Sequence, residues 1–287
     1  MQQRGIDHLV LAVHDLDAAA RLYEKLGFIV GARNRHPWGT ENRIVQFPHI
    51  FLELITIGQD ADIAPHHNEQ FSFGAFIQDY LARREGFAML VLASNDAEKD
   101  RADFAKKGIG GFAPFSFERQ GQRPDGSTVK VAFSLAFARD ALAPDIGYFV
   151  CQHHYPENFW NVTAQAHPNQ VKALTEVALY ADNPADHAEF MSHFTGLRDY
   201  SATSSSIHFS TRGAIQIYSK PAFSYFYGQC DDLTHTQLAA FTLSVSSLDD
   251  MITRCKQQSI AYEMVNGALV IAPKTAYGVG LRFVADH

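Results

Sequence analysis

Residues 5–28, GIDHLVLAVHDLDAAARLYEKLGF, decide the fold class of this chain. The run IDHLVLAV is rich in β-branched and apolar residues, which predicts a strand. Asp15 follows as a helix N-cap, where a carboxylate accepts hydrogen bonds from free backbone N–H groups. Apolar residues then recur at helical spacing until Gly27, whose tolerance of positive φ suits the end of a helix. The stretch therefore predicts a strand that contains a histidine, followed by a capped helix.

The same order of elements returns three times along the chain, in 86–109, 175–197 and 239–260. Each copy is followed by three extended segments. The spacing between copies is irregular, which indicates compact modules joined by loops of variable length rather than a solenoid. We therefore predict an α+β protein built from four βαβββ modules.

Composition limits the classes of function. The 287 residues are 46% hydrophobic and 19% charged, which is typical of a soluble globular protein. A net charge of −7 and the lack of a basic run argue against nucleic acid as a partner. No apolar stretch is long enough for a membrane span, and the N-terminus lacks a signal-peptide core. Three scattered cysteines do not form a disulfide framework, so we expect a cytoplasmic protein without membrane partners.

Composition turns polar, with two prolines, between the second and third modules. This change predicts a linker between two halves. The predicted divisions are a first half at 1–155, a linker at 156–172 and a second half at 173–287. An insertion at 58–85 carries an aromatic helical segment and is expected to cover an opening. The sequence RPDG at 123–126 predicts a hairpin turn.

Four such modules resemble the vicinal oxygen chelate (VOC) superfamily, which includes glyoxalase I, extradiol dioxygenases and bleomycin-resistance proteins. DHLVLAVHDLD (7–17) matches the superfamily's opening strand and cap, and HPWGTENRIVQFPHIFLELI (36–55) resembles its glyoxalase-like branch. The resemblance implies that modules pair so that curved mixed sheets form two cup-shaped halves. It also implies a divalent metal in the cup, held by the first and last strands of each module. Because one chain completes both cups, we expect a monomer or a homodimer.

The strand alternation places the first candidate residues. His8 shares a face with Val10 and Ala12, while the alternate positions are apolar and suit packing under the helix. His8 is therefore predicted to face the cup. Glu53 lies within FLELI in the last strand of the module, where an unpaired charge is costly and needs a metal, a cation or a proton. His8 and Glu53 are our predicted catalytic residues, and they occupy the positions at which the superfamily keeps metal ligands.

An imidazole and a carboxylate together suit Zn, Fe, Mn or Ni. In the second module, Met89 stands in the place of His8 and is a poor ligand for hard divalent ions. Cys151 stands in the place of Glu53, and His153 shares its face. The predicted metal ligands are therefore His8, Glu53 and His153. Cys151 is an alternative third donor, although a free cysteine also packs as a small hydrophobe.

Polar and aromatic side chains lie in the first module's loop RHPWGTENR (35–43). The predicted residues for binding a small-molecule ligand are His36, Trp38, Thr40, Asn42, Cys151 and His153. The alternative for the loop is an ordinary turn with an exposed tryptophan. The alternative for QHHYPENFW (152–160) is a structured linker whose aromatic residues anchor the second half.

The second half departs from the ligand pattern. The third module places Val177 and Gln216 near the corresponding positions, and the fourth places Ala240 and Arg282 there. These residues predict no metal site. We expect a degenerate cup that serves packing, dimerisation or a different ligand.

Three functional hypotheses follow. The first is a glyoxalase-like lyase, isomerase or dioxygenase that acts on a small oxygenated metabolite, with Glu53 as metal ligand or base and His8 as metal ligand or proton donor. The alternative is a non-catalytic binding or sequestering protein of the bleomycin-resistance type, which Met89 and the 22 phenylalanines favour. The third is metal-free acid–base chemistry by Glu53, whose pKa burial would raise.

Overall fold

The structure is a computed structural model that describes residues 3–67, 69–122, 127–230 and 233–286. The turn predicted at 123–126 lies outside the described residues. Each of the four predicted modules is present as a strand, a helix and three further strands. The α+β fold of four βαβββ modules is confirmed.

The first half contains two modules separated by a helix. The first module contains β1 (Ile6–Ala12), α1 (Leu16–Lys25), β2 (Asn34–Arg35), β3 (Thr40–Phe47) and β4 (Ile50–Ile57). The segment predicted to be an insertion contains α2 (Phe73–Leu81). The second module contains β5 (Gly86–Ala93), α3 (Ala97–Lys106), β6 (Phe115–Gln122), β7 (Thr128–Ala138) and β8 (Gly147–His153). Asp15 caps α1 as predicted, because its side chain accepts from the backbone N–H of Ala18 at 2.8 Å.

Two short helices, α4 (Pro156–Phe159) and α5 (Val162–Gln165), connect β8 to the third module. The third module contains β9 (Val171–Tyr180), a 3-10 turn (Pro184–His187), α6 (Ala188–Thr195), β10 (Ser201–Ala202), β11 (Ser206–Phe209) and β12 (Ala214–Tyr218). After α7 (Lys220–Tyr227), the fourth module contains β13 (Gln237–Val245), α8 (Leu248–Gln257), β14 (Glu263–Val265), β15 (Ala268–Ile271) and β16 (Gly280–Ala285). The strands β2, β10 and β14 have only two or three residues, and each is an edge strand with one neighbour.

The modules pair through their first strands. β1 pairs antiparallel with β5, and β9 pairs antiparallel with β13. Within each module the last strand runs parallel to the first, as β4 does to β1. β13 also meets β5 at Leu238 and Phe87, so all sixteen strands belong to one mixed sheet.

The two faces of the sheet carry different cores. Leu9 and Leu11 pack into a large core with the helices, whereas Val10 and Ala12 belong to a separate cluster inside the first cup. The alternation predicted for these positions of β1 is confirmed. A third cluster, which includes Tyr180, lies inside the second cup. Each half therefore has an apolar interior of its own on the side of the sheet opposite α1, α3, α6 and α8, and α2 and α7 pack into these interiors.

Within the described part of the chain, no helix combines the length and the apolar character that crossing a membrane requires.

Candidate functional site

The first cup contains a pocket with about 480 Å³ of space free of protein atoms, part of it open to solvent. Its polar lining comes from four strands and one loop: His8, His36, Asn42, Glu53 and Arg119. Its apolar lining is mostly aromatic: Trp38, Phe51, Phe73, Phe117, Phe133, Phe149 and Phe159. The pocket therefore combines aromatic walls with a small group of ionisable side chains.

Glu53 is at the centre of the polar group and is only 5% exposed. Oε1 accepts a hydrogen bond from the Asn42 side-chain amide. Nε2 of His8 lies 3.9 Å from Oε2, and Nε2 of His36 lies 3.7 Å from Oε1. The structure thus brings three other sequence-predicted residues around the buried carboxylate of Glu53.

Asp7 fixes the orientation of His8. Its Oδ2 lies 2.7 Å from Nδ1 of His8 and 3.2 Å from Nε2 of His153. Burial alone would raise the pKa of Asp7, but the contacts with His153 and His8 hold that pKa well below its usual range. An ionised carboxylate only accepts hydrogen bonds, so Nδ1 of His8 carries the proton. In neutral His8 the other nitrogen, Nε2, is then unprotonated where it faces Glu53.

Asp7 is a site residue that the sequence pattern did not predict. Strict alternation puts Asp7 on the face opposite His8, under the helix. The pairing of β1 with β5 shifts register between Ile6 and His8, which is a bulge at Asp7. Such a bulge re-aims a side chain, and here it turns two consecutive residues toward the cup. No signal in the pattern of apolar residues predicts that bulge.

His36 is held by its own loop. Its Nδ1 lies 2.8 Å from the Thr40 hydroxyl, and its ring stacks on Trp38 at 4.6 Å between centroids. Gly39 has φ of 92°, and a Cβ there would lie 2.8 Å from that of Ala61. Burial lowers the pKa of His36, although the nearby Glu53 opposes that shift. The loop is therefore an ordered wall of the pocket with a neutral imidazole, not an ordinary exposed turn.

Arg119 is a pocket residue that the sequence analysis did not name. It follows Phe115 and Phe117 on the inward face of β6, where alternate residues are exposed. Burial lowers the pKa of Arg119, and the charge of Glu53 acts in the opposite direction. Strand alternation could have placed Arg119 on an inward face. It could not show which residues of β4 that face would meet.

Cys151 and His153 have different surroundings. Cys151 lines the pocket. Val10, two residues after His8, pairs with Glu53. Val91, two residues after Met89, pairs with Phe149. Phe149 therefore corresponds to Glu53, and the correspondence with Cys151 was wrong. His153 is engaged by Asp7 and stacks on Trp160 at 5.9 Å between centroids. The predicted metal ligands are thus divided: His8 and Glu53 lie beside each other in the pocket, whereas His153 lies beside Asp7 and Trp160.

A possible set of metal ligands does exist at this place. Donor atoms of Asp7, Cys151 and His153 lie within 4.8 Å of one another, and within the described residues no other triad of His, Cys, Asp or Glu does so. The donor types suit zinc or iron. However, Asp7 and His153 bond each other, and burial raises the pKa of the Cys151 thiol well above its usual range. Because these donors are engaged or protonated, we assign no reaction step to a metal.

The second cup contains a carboxylate that the sequence analysis also missed. In the first module Val10 pairs with Glu53, and in the third module Ala178 pairs with Gln216. His8 lies two residues before Val10, and Glu176 lies two residues before Ala178. Glu176 is therefore the residue of the third module that corresponds to His8. The correspondence with Val177 was therefore wrong by one residue: Val177 lies in the helix-side core. The hydroxyl of Tyr227 donates to Glu176 at 2.7 Å.

The sequence profile of the family described as "glyoxalase-like domain" matches residues 6–195. The chain belongs to the glyoxalase-like domain family. This family membership places the protein in the VOC superfamily, as its sequence resemblance predicted. No curated protein matches this glyoxalase-like protein in sequence.

Solved structures share the fold of this glyoxalase-like protein. A hypothetical protein from Staphylococcus aureus superposes with a TM-score of 0.69 at 12% identity, over 98% of this chain and 99% of its own. A substituted 4-hydroxymandelate synthase from Streptomyces coelicolor gives 0.61 at 11% identity, over 99% and 93%. A fusion of a xylose isomerase-like TIM barrel with a 4-hydroxyphenylpyruvate dioxygenase gives 0.55 at 11%, over 99% and 49%. Identities this low show a common fold.

Proposed function

We propose that this glyoxalase-like protein is an enzyme that moves a proton on the carbon next to a carbonyl group of a small oxygenated compound. One observation carries the proposal. Glu53 is buried at the centre of an open pocket, with imidazole nitrogens of His8 and His36 at 3.9 Å and 3.7 Å. A positioned carboxylate beside a second proton carrier is the arrangement that general acid–base catalysis requires.

Each residue has a role in this reaction. Ionised Glu53 takes the proton from carbon, and the C–H electron pair moves into the carbonyl group to give an enolate. The negative charge develops on the carbonyl oxygen, where the guanidinium of Arg119 is the available donor, because the amide of Asn42 already donates to Glu53. Asp7 keeps Nε2 of His8 unprotonated, so protonated Glu53 can pass the proton taken from carbon to Nε2 of His8, and His8 then returns it to the enolate carbon.

The reaction type follows from these roles. Isomerase and lyase reactions next to a carbonyl begin with such a proton transfer, and Glu53 and His8 supply its two carriers. A dioxygenase reaction needs a redox-active metal, and the donors near this pocket are engaged with each other. We therefore favour an isomerase or lyase over a dioxygenase.

The experiment is solvent deuterium exchange. Pyruvate, 2-oxobutyrate and phenylpyruvate would be incubated with the protein in D₂O, and loss of the proton signal next to the keto group followed by NMR. We expect at least one of these 2-oxo acids to exchange faster than in buffer. Glu118→Gln removes an exposed carboxylate of β6 and should exchange like wild type, so it is the matched control for substitution of the buried Glu53. If no 2-oxo acid exchanges above the buffer rate, the proposal is wrong.

The second candidate is a binding or sequestering protein without turnover. The aromatic lining favours it, because seven aromatic rings supply contact area without any reacting group. This candidate predicts saturable binding of a ligand whose carbon-bound protons do not exchange in the presence of the protein. The exchange experiment therefore separates the two functions.

A further inference from the structure

Arg119 lies at the boundary between two neighbouring cavities. It lines both the first pocket and an outer groove beside α4 and α5, which shares Ile44 and Phe159 with that pocket. The guanidinium therefore lies where the interior meets the groove, on the path of any ligand that enters from that side.

The guanidinium is only weakly bound by the protein. Its two hydrogen bonds both leave from Nη1 and are long, 3.4 Å to Asn34 Oδ1 and 3.5 Å to the Gln120 carbonyl oxygen. Among the described residues no carboxylate lies within 4.0 Å of it, whereas Arg33 and Arg35 each pair with Glu41. Nη2 and Nε of Arg119 thus remain available, and a half-buried cation with free donors suits a bidentate bond to an oxyanion.

The walls beside Arg119 are planar and apolar. Phe117 and Phe133 have ring centroids 5.1 Å apart, and Trp38 contacts Phe117 edge-on at 4.8 Å. Phe149 and Phe73, which also line the pocket, have ring centroids 6.0 Å apart. Aromatic rings arranged in this way favour a flat ligand that stacks or meets their edges.

We infer that Arg119 is the anion-recognising residue of this pocket and that its ligand is an aromatic carboxylate. The carboxylate bonds to the guanidinium, the ring lies among the phenylalanines, and the intervening carbon faces Glu53. The inference rests on the proposed function for that last contact only. To the proposed function, the inference adds the class of substrate and the residue that selects that substrate.

The experiment compares charged and neutral probes of the same shape. Benzoate, phenylacetate, 3-phenylpropionate and 2-naphthoate, each with its primary amide, would be titrated by calorimetry at fixed pH and salt. Wild type should bind at least one carboxylate at least about 20-fold more tightly than its amide, as expected for a desolvated charge pair. Cyclohexylacetate, an anion without an aromatic ring, should bind more weakly than phenylacetate.

Variants assign the effect to Arg119. Arg119→Gln should lose the preference for carboxylate over amide, and Arg119→Lys should keep part of it. Lys130→Gln is the matched control, because it removes a charge from the same hairpin at an exposed residue that pairs with Glu118. Equal binding of carboxylates and amides by wild type, or an unchanged preference in Arg119→Gln, would overturn the inference. So would failure of all four carboxylates to bind below 10 mM.

Glu53→Gln separates this inference from the proposed function. That variant lacks the proposed base but keeps Arg119, so it should bind the aromatic carboxylate at least as tightly as wild type. Binding without any proton exchange would remove the proposed function and leave the recognition by Arg119 intact. Exchange of 2-oxo acids without a preference for aromatic anions would support the proposed function and overturn the recognition by Arg119.

Discussion

Oδ2 of Asp7 lies 2.7 Å from Nδ1 of His8. The same oxygen accepts from His153, and the pKa of Asp7 is far below its usual range, so the carboxylate stays ionised. A bulge in β1 puts these neighbours on one face of the strand. The consequence is a histidine whose proton lies away from the pocket and whose free nitrogen faces Glu53.

Asp7→Asn tests this arrangement. Asparagine offers an N–H as well as an oxygen, so it no longer forces the proton of His8 onto Nδ1. We expect deuterium exchange to fall by about 10- to 100-fold, and nitrogen-15 NMR to show a loss of the Nδ1–H tautomer of His8. Asp79→Asn, at an exposed carboxylate that pairs with His66, should change neither. Unchanged nitrogen shifts of His8 in Asp7→Asn would contradict this role.

Acid stability tests the same carboxylate independently. The folded-state pKa of Asp7 lies below its ordinary value of 3.8, so the folded protein binds fewer protons there than the unfolded chain does. Its contribution to stability is complete above about pH 5 and is lost as pH falls through the folded-state pKa. Urea unfolding between pH 6 and pH 2.5 should show a steeper loss of stability for wild type than for Asp7→Asn. Parallel curves would contradict the lowered pKa.

Glu176 should behave in the opposite way. Burial raises its pKa, and the hydroxyl of Tyr227 only partly offsets that shift. A carboxyl with a raised folded-state pKa contributes stability at low pH that is lost as pH rises through that pKa. Glu176→Gln should therefore increase the free energy of unfolding by about 1 kcal/mol at pH 7.5 and by less at pH 4.5. Glu189→Gln, at an exposed position of α6, is the control, and a destabilised Glu176→Gln would refute the reasoning.

Metal binding is the fourth prediction. Because the donors near the pocket are engaged with one another, we expect Zn, Mn, Fe and Ni to leave the melting temperature of wild type unchanged. Metal analysis of the purified protein provides the second readout. A metal that His8→Ala and Glu53→Ala lose would establish the set predicted from the sequence. A metal that Cys151→Ser alone loses would instead assign it to the triad with Asp7 and His153.

The sequence predicted what depends on local pattern. The N-cap at Asp15, the order of elements in each module, and the inward face of Val10 and Ala12 follow from spacing within a few residues. The proximity of His8 and Glu53 followed from the superfamily resemblance, because the last strand of a module runs beside the first.

Other features depend on contacts that spacing does not encode. The bulge at Asp7 arises where β1 meets β5, some eighty residues later in the chain. Arg119 reaches the pocket through a hairpin whose curvature only the folded sheet determines. Glu176 was missed because the alignment of the sequence repeats placed Val177 at the position of His8, whereas the pairing of β9 with β12 assigns that position to Glu176.

The role of Glu53 as proton acceptor is tested most directly by the exchange rate of Glu53→Gln relative to wild type. The substitution keeps the shape of the side chain, and Lys130→Gln and Glu118→Gln control for changes of surface charge. We predict that Glu53→Gln reduces deuterium exchange of the best 2-oxo acid by at least about 100-fold while its binding persists. An exchange rate equal to that of wild type would contradict the account.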